Sequence, residues 1–301
     1  MDNVMIIAAL IVLSFVFVLL WPDSAHAWGP ATHLEIGQSI LNNPSVITSA
    51  IRELILKFPH DFLYGTISAD IVVGKNLMEE LKHCHNWKVG FRLLKKADGH
   101  SEKAFAYGYL SHLAADTVAH NHFIPEMMIR SFRTRILRHL YWELRFDALA
   151  KRSIWLLPRK MVRGIHREND RLLGSTITDT PLSFGTNKKI FSSILVLNRM
   201  ERWHRMLKLL SDASRFQLDK RVRQAYFDSS LEAAVDLLNN HREALCVQKD
   251  PTGRVSLNAA KLVRKSLKTS RRLRRDYEKP MEDALKWVRM EPQSKGVKTL
   301  S

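Results

Sequence analysis

Apolar residues along this chain recur every three to four positions, the spacing that puts side chains on one face of an α-helix. Between residues 44 and 57 the apolar positions Val46, Ile47, Ile51, Leu54 and Ile55 keep that period. The stretch 76–97 reads as one or two helices, and 101–123 as a central helix opened by Ser101-Glu102 as a cap. Residues 127–157 read as another helix, with Pro125 expected to end or bend the central one nearby. Further on, 188–212 and 216–244 are amphipathic, and 257–289 holds one or two more helices. The interval 168–187, with its Gly174 to Pro181 and Gly185-Thr186-Asn187 runs, reads as a loop or linker. Strand-like alternation is nearly absent, so the pattern predicts an all-α, multi-helix fold.

The amino-terminal segment departs from this pattern. Residues 4–21 are almost unbroken apolar, followed by Pro22-Asp23-Ser24 and then Ala25-His26-Ala27. That is the layout of a signal peptide over residues 1–27, which predicts export to a periplasmic or extracellular location. The segment carries Asp2 where a positive charge is usual, and the run is long enough to cross a bilayer, so an uncleaved anchor is the alternative. Cleavage after Ala27 would leave Trp28 with a free α-amine, which together with its own carbonyl oxygen can chelate a metal ion.

Charge divides the chain. Residues 1–143 carry 13 Lys/Arg and 13 Asp/Glu, whereas 144–301 carry 34 and 17, the whole of the net +17. The second half therefore reads as a surface that meets something anionic, either phospholipid headgroups or nucleic acid, or as a solvated basic face. Its densest run, Arg271-Arg272-Leu273-Arg274-Arg275, fits a solvated helix face or one laid on an anionic membrane. Two cysteines, Cys84 and Cys246, exclude a disulfide framework.

The chemistry gathers in the first half. Of 13 histidines, nine lie between His33 and His139. In the central helix His112, Asp116 and His120 are four residues apart and share a face, among Leu113, Ala114, Ala115, Val118 and Ala119. A carboxylate between imidazoles in an apolar helix is costly unless it is paired or binds a metal, and these are ligands that zinc prefers.

Trp28-Gly29-Pro30-Ala31-Thr32-His33, taken with His112, Asp116 and His120, resembles the zinc-dependent phospholipase C family, whose trizinc helical fold is shared by single-strand-specific nucleases. The resemblance covers about residues 28–147 and implies a domain over 28–167, followed by a basic helical region, 188–301, of unassigned role. It implies up to three zinc ions and phosphodiester hydrolysis at a phospholipid or membrane surface. The alternatives are a zinc nuclease for single-stranded nucleic acid and a non-catalytic, membrane-associated metal-binding protein, and no protein partner is expected. It also makes Trp28 and His33 the amino-terminal ligands. Gly65-Thr66-Ile67-Ser68-Ala69-Asp70 resembles the family's Gly-x-x-x-(Pro/Ala)-Asp, which makes Asp70 a ligand and the candidate catalytic base. His85 completes that site, with His83 as alternate. His112 and Asp116 resemble the central pair, Asp116 bridging two ions, and His139 and Glu143 a later pair. The remaining histidine is His120 by one family spacing and His122 by another. Trp28 to His33, five residues, looks more like the nucleases; Gly108 to Asp116 looks more like the phospholipases.

Overall fold

The computed structural model describes residues 28–72, 84–134, 138–151, 153–157, 166–178, 180–198 and 216–289. The segment read as a signal peptide, and His83, lie outside the described residues. In chain order the α-helices are α1 (Pro30–Asn42), α2 (Ser49–Lys57), α3 (Pro59–Ser68), α4 (Trp87–Lys96), α5 (His100–Val118) and α6 (Ile124–Arg130). They continue as α7 (Arg138–Asp147), α8 (Arg167–Thr176), α9 (Phe184–Asn198), α10 (Lys220–Asn240), α11 (Arg254–Arg272) and α12 (Glu278–Val288). The chain is all-α, with no strand among the described residues. Among them no helix is long and apolar enough to cross a membrane.

Everything is arranged around α5, which is buried from Gly108 to its end. A helix apolar on all sides must be covered on all sides. The side with Ala104, Leu110, Ala114 and Val118 faces a core that includes Ile36, Phe123 and Leu237. The side with Phe105, Tyr109 and Leu113 faces a second core that includes Leu34, Leu63, Phe191 and Leu195. α3 lies closest. A β-carbon on Gly65 would fall 2.1 Å from the Phe105 carbonyl oxygen, and one on Gly108 would fall 2.0 Å from that of Phe62. Only two glycines at the crossing let the backbones meet this closely.

Three expectations are corrected and one is narrowed. Of the end or bend expected near Pro125, the helix does not end: α5 runs through a π turn, Ala119–Phe123, directly into α6, with Pro125 in its first turn. The wider turn gives room for a ring that clashes with a carbonyl one α-turn back and cannot donate to it. The expected 127–157 helix is broken after Arg130, and its carbonyls are taken by a buried side chain from far along the chain. Arg264 donates to Met128 O at 3.4 Å and to Thr134 O at 2.5 Å. The interval read as loop contains α8 and the start of α9; Tyr64 donates to Asp170 and Asn169 to Asp61, both at 2.6 Å, fastening α8 to α3. Finally, α10 packs on α5 and α1, so the basic half is part of the same body as the histidine-rich half.

Candidate metal centre

The site begins with how α1 is held. Gly29 precedes Pro30, and Asp147 at the end of α7 caps the helix from outside. It accepts from Ala31 N at 3.1 Å, Thr32 N at 2.9 Å and Thr32 Oγ1 at 2.6 Å. A β-carbon on Gly29 would strike that carboxylate at 2.2 Å. Asp147 is thus a buried cap on the helix that carries His33. Burial pushes its carboxyl up to about 6, against the bonds from Thr32 and Ala31.

The close α3–α5 crossing then brings Asp70, two residues beyond α3, to the face of α5 that carries His112 and Asp116. His33, His112 and Asp116 form one group, and Asp70, His85 and His112 a second. Asp116 joins them: its Oδ1 lies 3.2 Å from His33 Nε2, and its Oδ2 lies 3.1 Å from both His85 Nε2 and His112 Nε2. His85 Nε2 is also 3.3 Å from Asp70 Oδ1 and 3.1 Å from His112 Nε2. All five residues are buried.

These contacts exceed what protons can satisfy. One N–H on His85 cannot serve Asp70, Asp116 and His112 together. His112 already spends its Nδ1 proton on the Thr66 carbonyl at 2.8 Å, which turns the Nε2 lone pair inward. His33 Nε2 and both Asp116 oxygens are buried and make no hydrogen bond. Ligands about 2.1 Å from a tetrahedral zinc stand about 3.4 Å from one another, close to the separations found here. The donor set fits zinc.

The electrostatics agree. Burial, with His112 beside it, holds the His33 imidazole down to about 4 despite Asp116, so it is neutral at pH 7 and its lone pair is available. Burial alone would push Asp116 up, but His112 and His33 outweigh it and hold the carboxyl well below the ordinary range. Tyr109, raised by burial and by Cys84, Asp70 and Asp116, keeps its proton and donates it to the Cys84 carbonyl at 2.5 Å, pinning the turn that carries His85. Cys84 itself is buried, its Sγ 3.3 Å from His85 Nδ1.

A further group stands one turn along. His120, His139 and Glu143 converge, with His139 Nε2 2.9 Å from Glu143 Oε1 and the rings of His120 and His139 5.2 Å apart. His120 therefore stands with α7, not with His112 and Asp116 as an unbroken helix would have it. It is the first histidine of the π turn, and its Nδ1 donates to the Pro251 carbonyl at 2.6 Å. His122 is turned away: its Nδ1 donates to Val288 O at 2.8 Å, and Lys249 approaches its Nε2 at 3.0 Å. Trp28 is buried, its ring tilted against that of Phe146 with centroids 3.9 Å apart, its indole N–H shared between Ala115 O and Ser230 Oγ, each at 3.1 Å. Asp61 faces away from this group, toward Asn169 on α8 and His166, the residue before that helix.

An all-helical body that buries histidines and carboxylates clustered at ligand-to-ligand distances carries a candidate metal centre. The family profile described as Zinc dependent phospholipase C matches residues 32–218, and the chain belongs to that family. The match runs on through residues 148–218, where the sequence alone carries no recognised resemblance, and stops short of Pro251 and Ser230. No curated protein and no solved structure matches the chain significantly.

Proposed function

We propose that this chain is an exported zinc-dependent phosphodiesterase of the phospholipase C type, which releases the phosphorylated headgroup of a phospholipid and leaves diacylglycerol. The observation that carries this reading is Asp116 dividing its two oxygens between His33 on one side and His85 with His112 on the other, in a chain of this family. His33, Asp70, His85, His112 and Asp116 would hold zinc in the shared group, and His120, His139 and Glu143 in the other. Trp28 would add its amine and carbonyl oxygen once residues 1–27 are removed.

Bound zinc supplies a Lewis acid for the phosphoryl oxygens and lowers the pKa of water. Asp70, beside His85 at the edge of the shared group, takes the proton of the attacking water. The water oxygen bonds to phosphorus as the bond from phosphorus to the glycerol oxygen breaks, and that oxygen leaves with the proton. His112, fixed by the Thr66 carbonyl, and His33, kept neutral, hold their nitrogens in place throughout.

A second reading, a zinc nuclease for single-stranded nucleic acid, is favoured by the five-residue spacing from Trp28 to His33 and by the net charge of +17. Zinc-loaded protein offered phosphatidylcholine vesicles and single-stranded DNA side by side separates the two. Headgroup release that disappears in Asp70→Asn is expected; DNA cleavage without lipid hydrolysis would transfer the assignment to the nuclease. Export is checked by intact mass, which should place the first residue of the secreted chain at Trp28.

A further inference from the structure

The basic carboxyl-terminal helices are not used by the chemistry above, and their surface pattern is specific. From Arg254 to Arg275 the chain carries nine Lys/Arg and no acidic residue. α11 covers most of this stretch and packs on the body through Leu257, Ala260, Arg264 and Leu267. Its outer side is not simply polar. Val255 is 77% exposed, Leu262 69% and Leu273, the residue just past its end, 55%. Successive steps of seven and eleven residues bring these three to within about 20° of one line on a helix. Exposed Lys265 and Arg272 lie together on one side of that line, about 80–100° round the helix, and exposed Arg274 follows it.

A solvated basic face has no use for aligned, exposed aliphatic side chains, and nucleic acid is held by Lys/Arg on its phosphates with aromatic rings against its bases, neither of which uses an aliphatic row. A bilayer interface takes both: the apolar row enters the headgroup boundary while lysine and arginine stems snorkel to anionic phosphates. The surface is also joined to the metal centre. Gly253, in the left-handed region at φ 56°, sits so close to His120 that a β-carbon there would lie 2.5 Å from it, and Arg254 begins α11 at the next residue. Pro251, in the same turn, holds His120 by its carbonyl.

We propose that the outer face of α11, with Val255, Leu262 and Leu273 as the apolar row and Lys265, Arg272 and Arg274 beside it, is the surface by which the protein docks on anionic phospholipid bilayers. This deepens the phospholipase reading and rests on it for the choice of lipid over other polyanions. Docking here sets the turn 251–253, and His120 with it, beside the bilayer that supplies substrate.

The test is co-flotation of the full-length, zinc-loaded protein with vesicles of phosphatidylcholine alone or mixed with phosphatidylglycerol, with hydrolysis of a soluble short-chain phosphatidylcholine measured in parallel. Each base near an anionic surface multiplies partition by about fivefold. Wild type should therefore favour the mixed vesicles strongly. The Lys265→Glu/Arg272→Glu/Arg274→Glu variant should lose that preference by ~100-fold or more. The Val255→Ser/Leu262→Ser/Leu273→Ser variant should bind the mixed vesicles at least ~10-fold more weakly, with soluble hydrolysis unchanged in both. Wild-type partition by the serine variant overturns the proposal, as does binding of single-stranded DNA in place of vesicles. If wild type docks as stated but hydrolyses no lipid, the catalytic reading fails and the docking surface stands.

Discussion

Gly108→Ala is the sharpest perturbation of the way this fold makes its site. The added methyl would lie 2.0 Å from the Phe62 carbonyl oxygen and 3.0 Å from the α-carbon of Gly65. Both are backbone atoms, so no side chain can swing aside, and α3 must move away from α5 by roughly 1.4 Å to reach van der Waals distance. Overpacking of this kind costs about 1–3 kcal/mol. The same movement stretches the 2.8 Å bond from His112 to Thr66 O, which adds about 1 kcal/mol. The sum, about 2–4 kcal/mol, should lower the melting temperature of the metal-free protein by about 3–6 °C at this size. Because Asp70 travels with α3 and His112 with α5, zinc affinity should also fall, by about 10–100-fold. Thermal scans in chelator give the first number and a competitive zinc titration the second. Gly99→Ala is the control, since a β-carbon there meets nothing within 4 Å. A Gly108→Ala protein with wild-type melting and wild-type zinc affinity would refute the close crossing and the origin it gives to the site.

Three further outcomes are expected. Asp147→Ala leaves Ala31 N and Thr32 Oγ1 without an acceptor, while Thr32 N keeps the Gly29 carbonyl at 3.1 Å, and should cost about 2–4 kcal/mol in chemical denaturation; a loss under about 0.5 kcal/mol would show that the cap is not needed. In metal-free protein two buried groups titrate with opposite sign. His33 drops from 6.5 to about 4, so the unfolded chain holds the extra proton between those values and acidification destabilises, by up to roughly 3 kcal/mol. Asp147 rises from 3.8 to about 6, so over that window the folded chain holds the extra proton and acidification stabilises. His33→Gln should therefore gain stability between pH 6 and 4 relative to wild type, and Asp147→Asn should lose it; parallel pH profiles for all three proteins would contradict both assignments. Tyr109→Phe removes the bond that pins the His85 turn, and should weaken zinc binding by about tenfold with the fold retained, read by the same zinc titration.

The helical period and the one-turn pair of His112 and Asp116 were legible in the sequence because both are local. What was not legible depends on partners remote in the chain. The π turn that sends His120 to α7 arises from Pro125, which reads equally well as a helix end. The Pro251 carbonyl and the Asp147 cap reach across 131 and 116 residues to His120 and Ala31. Nothing in the sequence near the receiving residue announces them. α8 was hidden by Gly174 and its neighbouring Ser and Thr, whose loop preference is outweighed by the anchoring of Asp170 and Asn169 on α3. The break after Arg130 depends on Arg264, one basic residue among many in the carboxyl-terminal half.

The central claim is that buried imidazoles and carboxylates from separate helices are held together by divalent ions. Elemental analysis of zinc in purified, exhaustively dialysed protein tests it most directly. Wild type and His122→Ala should each retain more than one zinc per chain, and Asp116→Ala, which removes the carboxylate shared between the two groups, should retain fewer. Zinc-free wild type, or Asp116→Ala with the full wild-type content, would contradict the account.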